Sequence, residues 1–508
     1  MFSELEKTVK KYSSLLFALF VTTNIIANNV EVNNVSLTGQ NTTNDTKLIE
    51  FDVSWENSWR TSASPFNWDA VWVFAKYRLT TNVNWHHATL ASNVSDHTPA
   101  SGSRIETVSD GLGVFISRDA DGSGNNNFLD TRLMWNYGTD GLSDADSVEI
   151  CVFAIEMVYV PAGGFTLGDG NGSETSTDAF ELEPDTNDYV AISTSLSETL
   201  ETNSGTDDNI LRYNGLRLDG DGGIDESNDG FVDHANFPVG YNAFYCMKYE
   251  ISQGQFVEFA NHINSGQTNI ISATTSSRQN ITGSGSSWAS TTPNRAHGTG
   301  YPPLAAYLDW AGLRPMTETE FEKACRGTNT SLYEEYAWGS TNISTTSYTL
   351  GFDGTASESI TNISTGTGNA VYNTTHAAGV ARCGIFAAGS PNHTREETGG
   401  SFYGIMELSG NLHECVVILG DVAGRDFDGS HGDGEVSING YADNLGWPGY
   451  DSSTSDNDGS PGDGWGYRGG GENSVAARLS VSDRQLTNTH TTGTTSASYG
   501  GRGVRTAP

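Results

Sequence analysis

The closing stretch of the chain, Gly464 to Pro508, constrains the fold more than any other: GWGYRGGGENSVAARLSVSDRQLTNTHTTGTTSASYGGRGVRTAP. Glycines cluster at Gly469 to Gly471 and again at Gly500 to Gly503, with Arg478, Arg484, Arg502 and Arg505 between and beside them. Glycine permits positive φ and close backbone approach. A guanidinium drawn into such a segment needs a carboxylate or backbone carbonyls, because a buried charge must be paired. No helical period runs through the stretch, so it reads as short strands joined by long loops. The plain alternative is an irregularly packed glycine-rich tail. Composition supports the first reading. Apolar residues make up 36% and charged residues 17% of 508 positions, with Gly, Ser, Thr and Asn filling the gap, which suits loop-rich β structure. The length suggests two or three domains. A formal net charge of −36 repels nucleic acid and leaves divalent cations as plausible ligands.

Residues 1–27 form a separate unit. Lys7, Lys10 and Lys11 precede the apolar run LLFALFVTTNIIA, Leu15 to Ala27. The run is too short for a comfortable membrane span and fits a secretory signal cleaved near Ala27, with a buried N-terminal helix as the alternative. The expected location is therefore secreted, extracellular or on the cell surface, with no transmembrane segment in the mature chain. Five cysteines, Cys151, Cys246, Cys325, Cys383 and Cys415, are scattered without CxxC or zinc spacing. Export would permit disulfides; the default is buried small hydrophobes.

From residue 28 to 155 the pattern is β. Ile49, Phe51, Val53 and Trp55 alternate with polar residues, as do Val71, Val73, Ala75, Tyr77 and Leu79 further on. Such spacing predicts an N-terminal β-sandwich. Asp119 to Asp130, DADGSGNNNFLD, places oxygen side chains at loop positions one (Asp119), three (Asp121), five (Ser123), nine and twelve (Asp130), with glycine at six, as a calcium loop does. A plain hairpin loop fits as well, because the last ligand is Asp and flanking helices are missing. Asp219 to Asp229 and the group Asp426, Asp428, Asp433 and Glu435 read as solvated acidic loops.

At Glu156 the character changes. EMVYVPAGGFTLG reads strand, turn, strand. Ser252 with Gln255, and Thr317 with Glu320, form capping boxes that open two helices, the second stopped by Gly327. The Ser/Thr/Asn-rich tract from Gly339 to His393 reads as surface loop.

The pieces MVYVPAGGFTLG (157–168), YCMKYEISQGQFVEFAN (245–261), WAGLRPMTETEFEKACRG (310–327), YAWG (336–339), YGIMELSGNLHE (403–414) and YRGGGENSVAARLSVSDRQ (467–485), closing with GGRGVR (500–505), occur in an order that resembles the sulfatase-modifying-factor, or formylglycine-generating-enzyme-like, family. The resemblance implies an α+β, loop-rich architecture. A C-type-lectin-like domain of this family would span 156–508, preceded by the all-β sandwich domain. It also implies a structural calcium held by side chains at Glu407 and Glu414 and by the carbonyls of Gly410 and Leu412. The alternative is that Glu414 pairs with a core arginine such as Arg478. His413 and Cys415 stand where the family carries tryptophans.

The family's best-known activity oxidises a sulfatase cysteine to formylglycine with copper and oxygen. That chemistry needs two cysteines just after the last Gly-Gly, since thiolates select Cu(I). Here Glu472, Asn473 and Ser474 follow Gly471, and no cysteine follows Cys415. The expectation is therefore no copper and no catalytic residue. The chain reads as a secreted, non-catalytic binding or assembly protein whose partner is an extracellular protein or glycan, or copies of itself. Asn473, Ser474, Asn488, His490 and Tyr499 are the expected ligand-facing residues. A structural filament subunit and a divergent metal-dependent oxidase of the same family are the alternatives.

Overall fold

In the computed structural model the described residues are 30–170, 179–180, 189–193, 236–373, 379–388, 394–419, 421–458, 464–487 and 497–508. The expected signal segment, the acidic loop at 219–229, Asn488 and His490 lie outside them.

The alternating stretches become strands. β1 (Glu31–Asn41), β2 (Thr46–Arg60) and β3 (Asp69–Leu79) are followed by β4 (Ser103–Thr107), β5 (Val114–Arg118), β6 (Gly122–Trp135) and β7 (Val148–Val160). One antiparallel sheet has the order β1-β2-β6. Its inward residues Ile49, Phe51, Val53, Trp55, Leu133 and Trp135 pack on Val71, Val73, Ala75, Val152 and Ala154 of a second sheet. That face-to-face packing is the expected sandwich.

The second sheet does not stop at residue 155. Its order is β9-β13-β8-β7-β3-β5-β4, where β8 is Phe244–Met247, β9 is Arg314–Pro315 and β13 is Gly503–Thr506, with His86–His87 added beside β3. The boundary expected between 155 and 156 falls inside β7, which pairs with β3 on one edge and β8 on the other. β3 explains why the two halves are joined. Val71, Val73, Ala75 and Tyr77 face the sandwich core, while Ala70, Trp72 and Phe74 face the core of the second half. A strand buried on both faces reads as a continuous apolar run, and AVWVFA has that character. Polar anchors reinforce the junction. Trp72 Nε1 donates to Ala311 O at 2.8 Å, Lys76 Nζ to Trp310 O at 2.7 Å, and Arg505 pairs with Asp110.

α1 (Gln253–Asn261) and α2 (Tyr301–Trp310) pack on the face of this sheet that carries Trp72 and Phe74, and α3 (Glu318–Arg326) packs on the opposite face, against Val158, Val160, Phe244 and Cys246. The capping boxes of α1 and α3 form as the sequence predicts, and Gly327 ends α3 at φ 66°. A last small sheet has the order β11-β10-β12, from β10 (His413–Val417), β11 (Trp465–Arg468) and β12 (Tyr499–Gly500); β10 and β12 are parallel.

The five arginines of the closing stretch all find carboxylates, Arg468 meeting Glu318 and Glu322. Arg478 pairs with Asp483, Arg484 with Glu318, Arg502 with Glu414 and Arg505 with Asp110. All five cysteines are free and buried. Two loop readings need correction. The tract from Gly339 is not merely surface, because Tyr348, Ile360, Val371, Ala381, Ile385 and Phe386 gather into a small core of their own. The 426–435 loop is anchored: Glu435 accepts the His87 N–H at 2.7 Å, and Gly434 O accepts Lys76 Nζ. Among the described residues no helix is long and apolar enough to cross a membrane.

Candidate functional site

The site where the glycine-rich turn meets β10 and β12 is built from backbone strain outward. Gly469 and Gly470 take φ 76° and 66°, and a Cβ on Gly469 would lie 2.6 Å from Leu408 O. Only glycine turns the chain here at little cost. The turn then closes on itself. Ser474 N donates to Gly471 O and Gly471 N donates to Ser474 Oγ, both at 2.9 Å. Parallel pairing sets His413 opposite Tyr499, and Ser474 Oγ lies 3.1 Å from His413 Nε2. The hydroxyl accepts from Gly471 N and keeps both a proton and a second lone pair with which to meet Nε2. Burial, assisted by Arg478, holds His413 down at about 4, so the ring is neutral.

A serine hydrogen-bonded to a neutral imidazole is the first half of a nucleophile–base pair. The rest of that machinery is missing among the described residues. Gly471 N–H is spent on Ser474 Oγ rather than left for an oxyanion, and no acceptor orients the ring's other nitrogen. The serine caps the turn instead. Around it, Glu472 N donates to Asn411 O at 2.8 Å, Ser498 Oγ to Glu472 Oε1 at 3.2 Å, and Tyr467 stacks on Tyr499 at 4.1 Å. Of the residues expected to face a ligand, the structure brings together Asn473, exposed, and Tyr499, half-buried, with Ser498 between them; Ser474 is 9% exposed.

Beneath this turn is a cluster of buried carboxylates. Glu414 Oε1 accepts Arg502 Nε at 2.7 Å and its NH2 as well. The core partner of Glu414 is thus Arg502, not Arg478. Glu407 Oε1 accepts Gly384 N at 2.8 Å, and Glu250 accepts Leu412 N at 2.8 Å and Asn411 Nδ2. Desolvation pushes Glu407 up to about 7 and Glu250 well above the carboxylate range, with Glu414 adding repulsion to Glu250. Sequence reading missed Glu250, which sits in a helix-preceding motif and carries no ligand signature of its own. Glu407 Oε2 and Glu414 Oε2 are buried without a hydrogen-bond partner. Two such oxygens suit a hard cation, and Arg502 opposes one by supplying a positive charge at Glu414 already.

The other calcium expectation is corrected. Asp119 to Asp130 is not a loop beyond its first residues, because β6 starts at Gly122. Along a strand rising about 3.3 Å per residue, Ser123 and Asp130 stand roughly 20 Å apart and cannot share one ion. Asp121 instead accepts Ser62 N at 2.9 Å, and Asp130 N donates to Asp52. Among the described residues, one group of three acidic side chains brings its oxygens within 4.8 Å of one another: Asp309, Asp433 and Asp443. Asp309 ends α2 fully buried and accepts the N–H groups of Asp433 and Asp443 at 3.0 and 3.2 Å. No spacing in the sequence links these residues.

A sheet-dominated, loop-rich scaffold whose irregular half is fixed by glycine turns and buried arginine–carboxylate pairs is the class these features define. Residues 197–423 match the family model for the sulfatase-modifying factor enzyme 1-like domain. The chain thus carries a sulfatase-modifying-factor-like domain, in keeping with its ordered motifs. Comparison with curated proteins finds no match.

Proposed function

We propose that this protein is a secreted or cell-surface binding or assembly protein that uses a C-type-lectin-like, sulfatase-modifying-factor scaffold without its oxidase chemistry. The observation that carries the reading is Ser474. Where copper chemistry requires thiolates, the chain places a buried hydroxyl locked between Gly471 N–H and His413 Nε2. An alcohol so held neither binds Cu(I) usefully nor leaves an open coordination position. Asn473 and Tyr499, on the surface beside it, form part of the contact face for an extracellular protein, a glycan or a second copy of the chain.

The test is to incubate purified mature protein with copper, oxygen and a cysteine peptide of sulfatase type, and to screen the same preparation on protein and glycan arrays. The expected result is no peptide oxidation, together with binding that Asn473→Ala and Tyr499→Ala weaken. Stoichiometric copper with formylglycine formation would overturn the proposal. A structural calcium at Glu407, Glu414 and the carbonyls of Gly410 and Leu412 belongs to the same reading, supported by the two partnerless oxygens. Its check is thermal melting: a fall in Tm with excess EDTA, restored by calcium, is expected, and unchanged melting would remove the ion from the account.

A further inference from the structure

A second, smaller site lies where residues 291–295 meet the Ser/Thr/Asn-rich tract. Residues 294–296 run antiparallel to 381–383: Cys383 N donates to Asn294 O at 3.0 Å, Arg295 bridges Arg382, and Ala296 N donates to Ala381 O at 3.1 Å. The pairing sets Arg295 beside Arg382, with Arg278 close by. Two carboxylates answer these three guanidinium groups. Glu358, buried, accepts Arg278 NH2 and Arg295 Nε at 2.9 Å each, Gly354 N at 2.8 Å and Arg382 N at 3.2 Å, so its lone pairs are used up. Asp353 pairs with Arg278 and Arg295.

Arg382 is left over. It is 9% exposed, and its guanidinium makes one long bond, NH1 to Glu358 O at 3.4 Å. Its Nε has no partner, and no carboxylate of the described residues forms an ion pair with it. Glu407, the further acidic group near enough to be felt, is bonded to Gly384 N. Arg382 thus stands without an ion pair among the described residues, in a chain whose net charge is −36. Arg382, Arg295 and Asn294 line a cavity of about 100 Å³, with Thr291, Gly354 and Thr355 opposite. Asn294 is 3% exposed, and neither its Oδ1 nor its Nδ2 has a hydrogen-bond partner.

A buried charge without a counter-ion is strongly unfavourable, and so is a buried amide with both ends unused. Water could satisfy the amide but would leave the charge. The edge of a guanidinium that carries Nε is one that holds a carboxylate by two parallel N–H···O bonds, and in Arg382 that Nε is buried without a partner. We propose that this cavity binds a carboxylate, held by Arg382 and Asn294, from either a small free acid or a peptide C-terminus. The site stands independently of the contact face proposed above.

Acetate, acetamide and inorganic phosphate are the probes, titrated calorimetrically into full-length mature protein dialysed free of carboxylate buffers. Acetate should bind at one site, and acetamide, its uncharged analogue, at least about tenfold more weakly, as expected when a charge-assisted pair is lost. Arg382→Lys keeps the charge but loses the fork and should weaken acetate by a similar factor; Asn294→Ala should weaken it severalfold. Melting of each variant verifies that it folds. A peptide with a free C-terminus, compared with its amidated form, separates the two sources. Equal binding of acetamide, tighter binding of phosphate, or undiminished acetate affinity in Arg382→Lys would overturn the assignment.

Discussion

The two halves of this protein solve the problem of burial by different physics. In the N-terminal sandwich, the residues that meet between sheets are Ile49, Phe51, Val53, Val71, Val73 and their neighbours, held by area removed from water. In the second half a comparable interior is full of charge. α3 carries Glu318, Glu320, Glu322, Lys323 and Arg326, and each is buried. Glu318 alone meets Arg468 at 3.0 Å and Arg484 at 2.7 Å, Glu322 meets Arg468 and Arg326, and Arg326 reaches Glu335. Apolar packing is non-directional and tolerates small changes of shape. A desolvated ion-pair network is directional and fails when one member changes, because the remaining charge is stranded. The irregular half thus trades regular secondary structure for pairing geometry.

The sharpest test compares two substitutions that barely alter shape. Glu318→Gln should cost about 3–5 kcal/mol, the range for breaking a buried pair from one side. Ile49→Val in the sandwich should cost about 0.5–1.5 kcal/mol. Urea unfolding at fixed pH reads both. Similar losses would mean that the two halves do not differ in the way described.

An effect of similar size separates the halves by pH. Lys76 leaves β3 to donate to Trp310 O, Gly434 O and His87 Nδ1, and it is fully buried. Desolvation brings it down to about 7, against partial support from Glu435, Asp309 and Asp433. The folded value lies below the ordinary 10.5, so the unfolded chain binds this proton more tightly. Below pH 7 the full penalty is present, and it is relieved as pH rises from 7 toward 10.5. Wild-type stability should therefore gain about 4–5 kcal/mol across that window relative to Lys76→Met. Parallel curves for the two proteins would place the amine in a wetter setting than the structure gives it.

Much of this was written into the sequence, and what was not has a physical reason. Alternation at Ile49 to Trp55 gave β2 and its buried face, and Ser252 with Gln255 gave the start of α1, because each signal is local. The pairing of the terminal arginines was legible in kind but not in partner. Arg502 reaches Glu414 and Arg484 reaches Glu318 across long stretches of chain, which no local pattern records. α3 carries charges around its circumference, and no local pattern tells that partners from β11 and the closing loops cover them. The continuity of the central sheet through residue 155 was hidden for another reason. Composition shifts at Glu156, yet a strand can serve two cores at once. The DADGSGNNNFLD segment shows how a ligand pattern can be mimicked, since Gly, Asn and Asp suit a sharp turn into a strand as well as an ion.

Glycines refine the contrast. Gly102, in the sandwich half, has φ 81° with open space where a Cβ would go. Alanine there should cost about 1–2 kcal/mol, the left-handed backbone term alone. Gly469 has the same backbone demand plus Leu408 O at 2.6 Å. Gly469→Ala should therefore exceed Gly102→Ala by about 1–3 kcal/mol, the usual cost of overpacking. Equal melting temperatures would show that the turn below Ser474 is free to move.

The smallest expected effect concerns the acidic turn before β6. Asp121 is exposed and accepts two bonds from Ser62, and the oxygens further along the strand diverge from it. Asp121→Asn keeps an acceptor for Ser62, so its stability should stay within about 0.5 kcal/mol of wild type. If the turn held calcium, that substitution would remove a charged ligand and lower the Tm gained on adding the ion. Calcium titrations of the wild type and variant, followed by melting, should therefore superimpose. A calcium-dependent shift lost specifically in Asp121→Asn would mean that this end of the sandwich has a place for a cation.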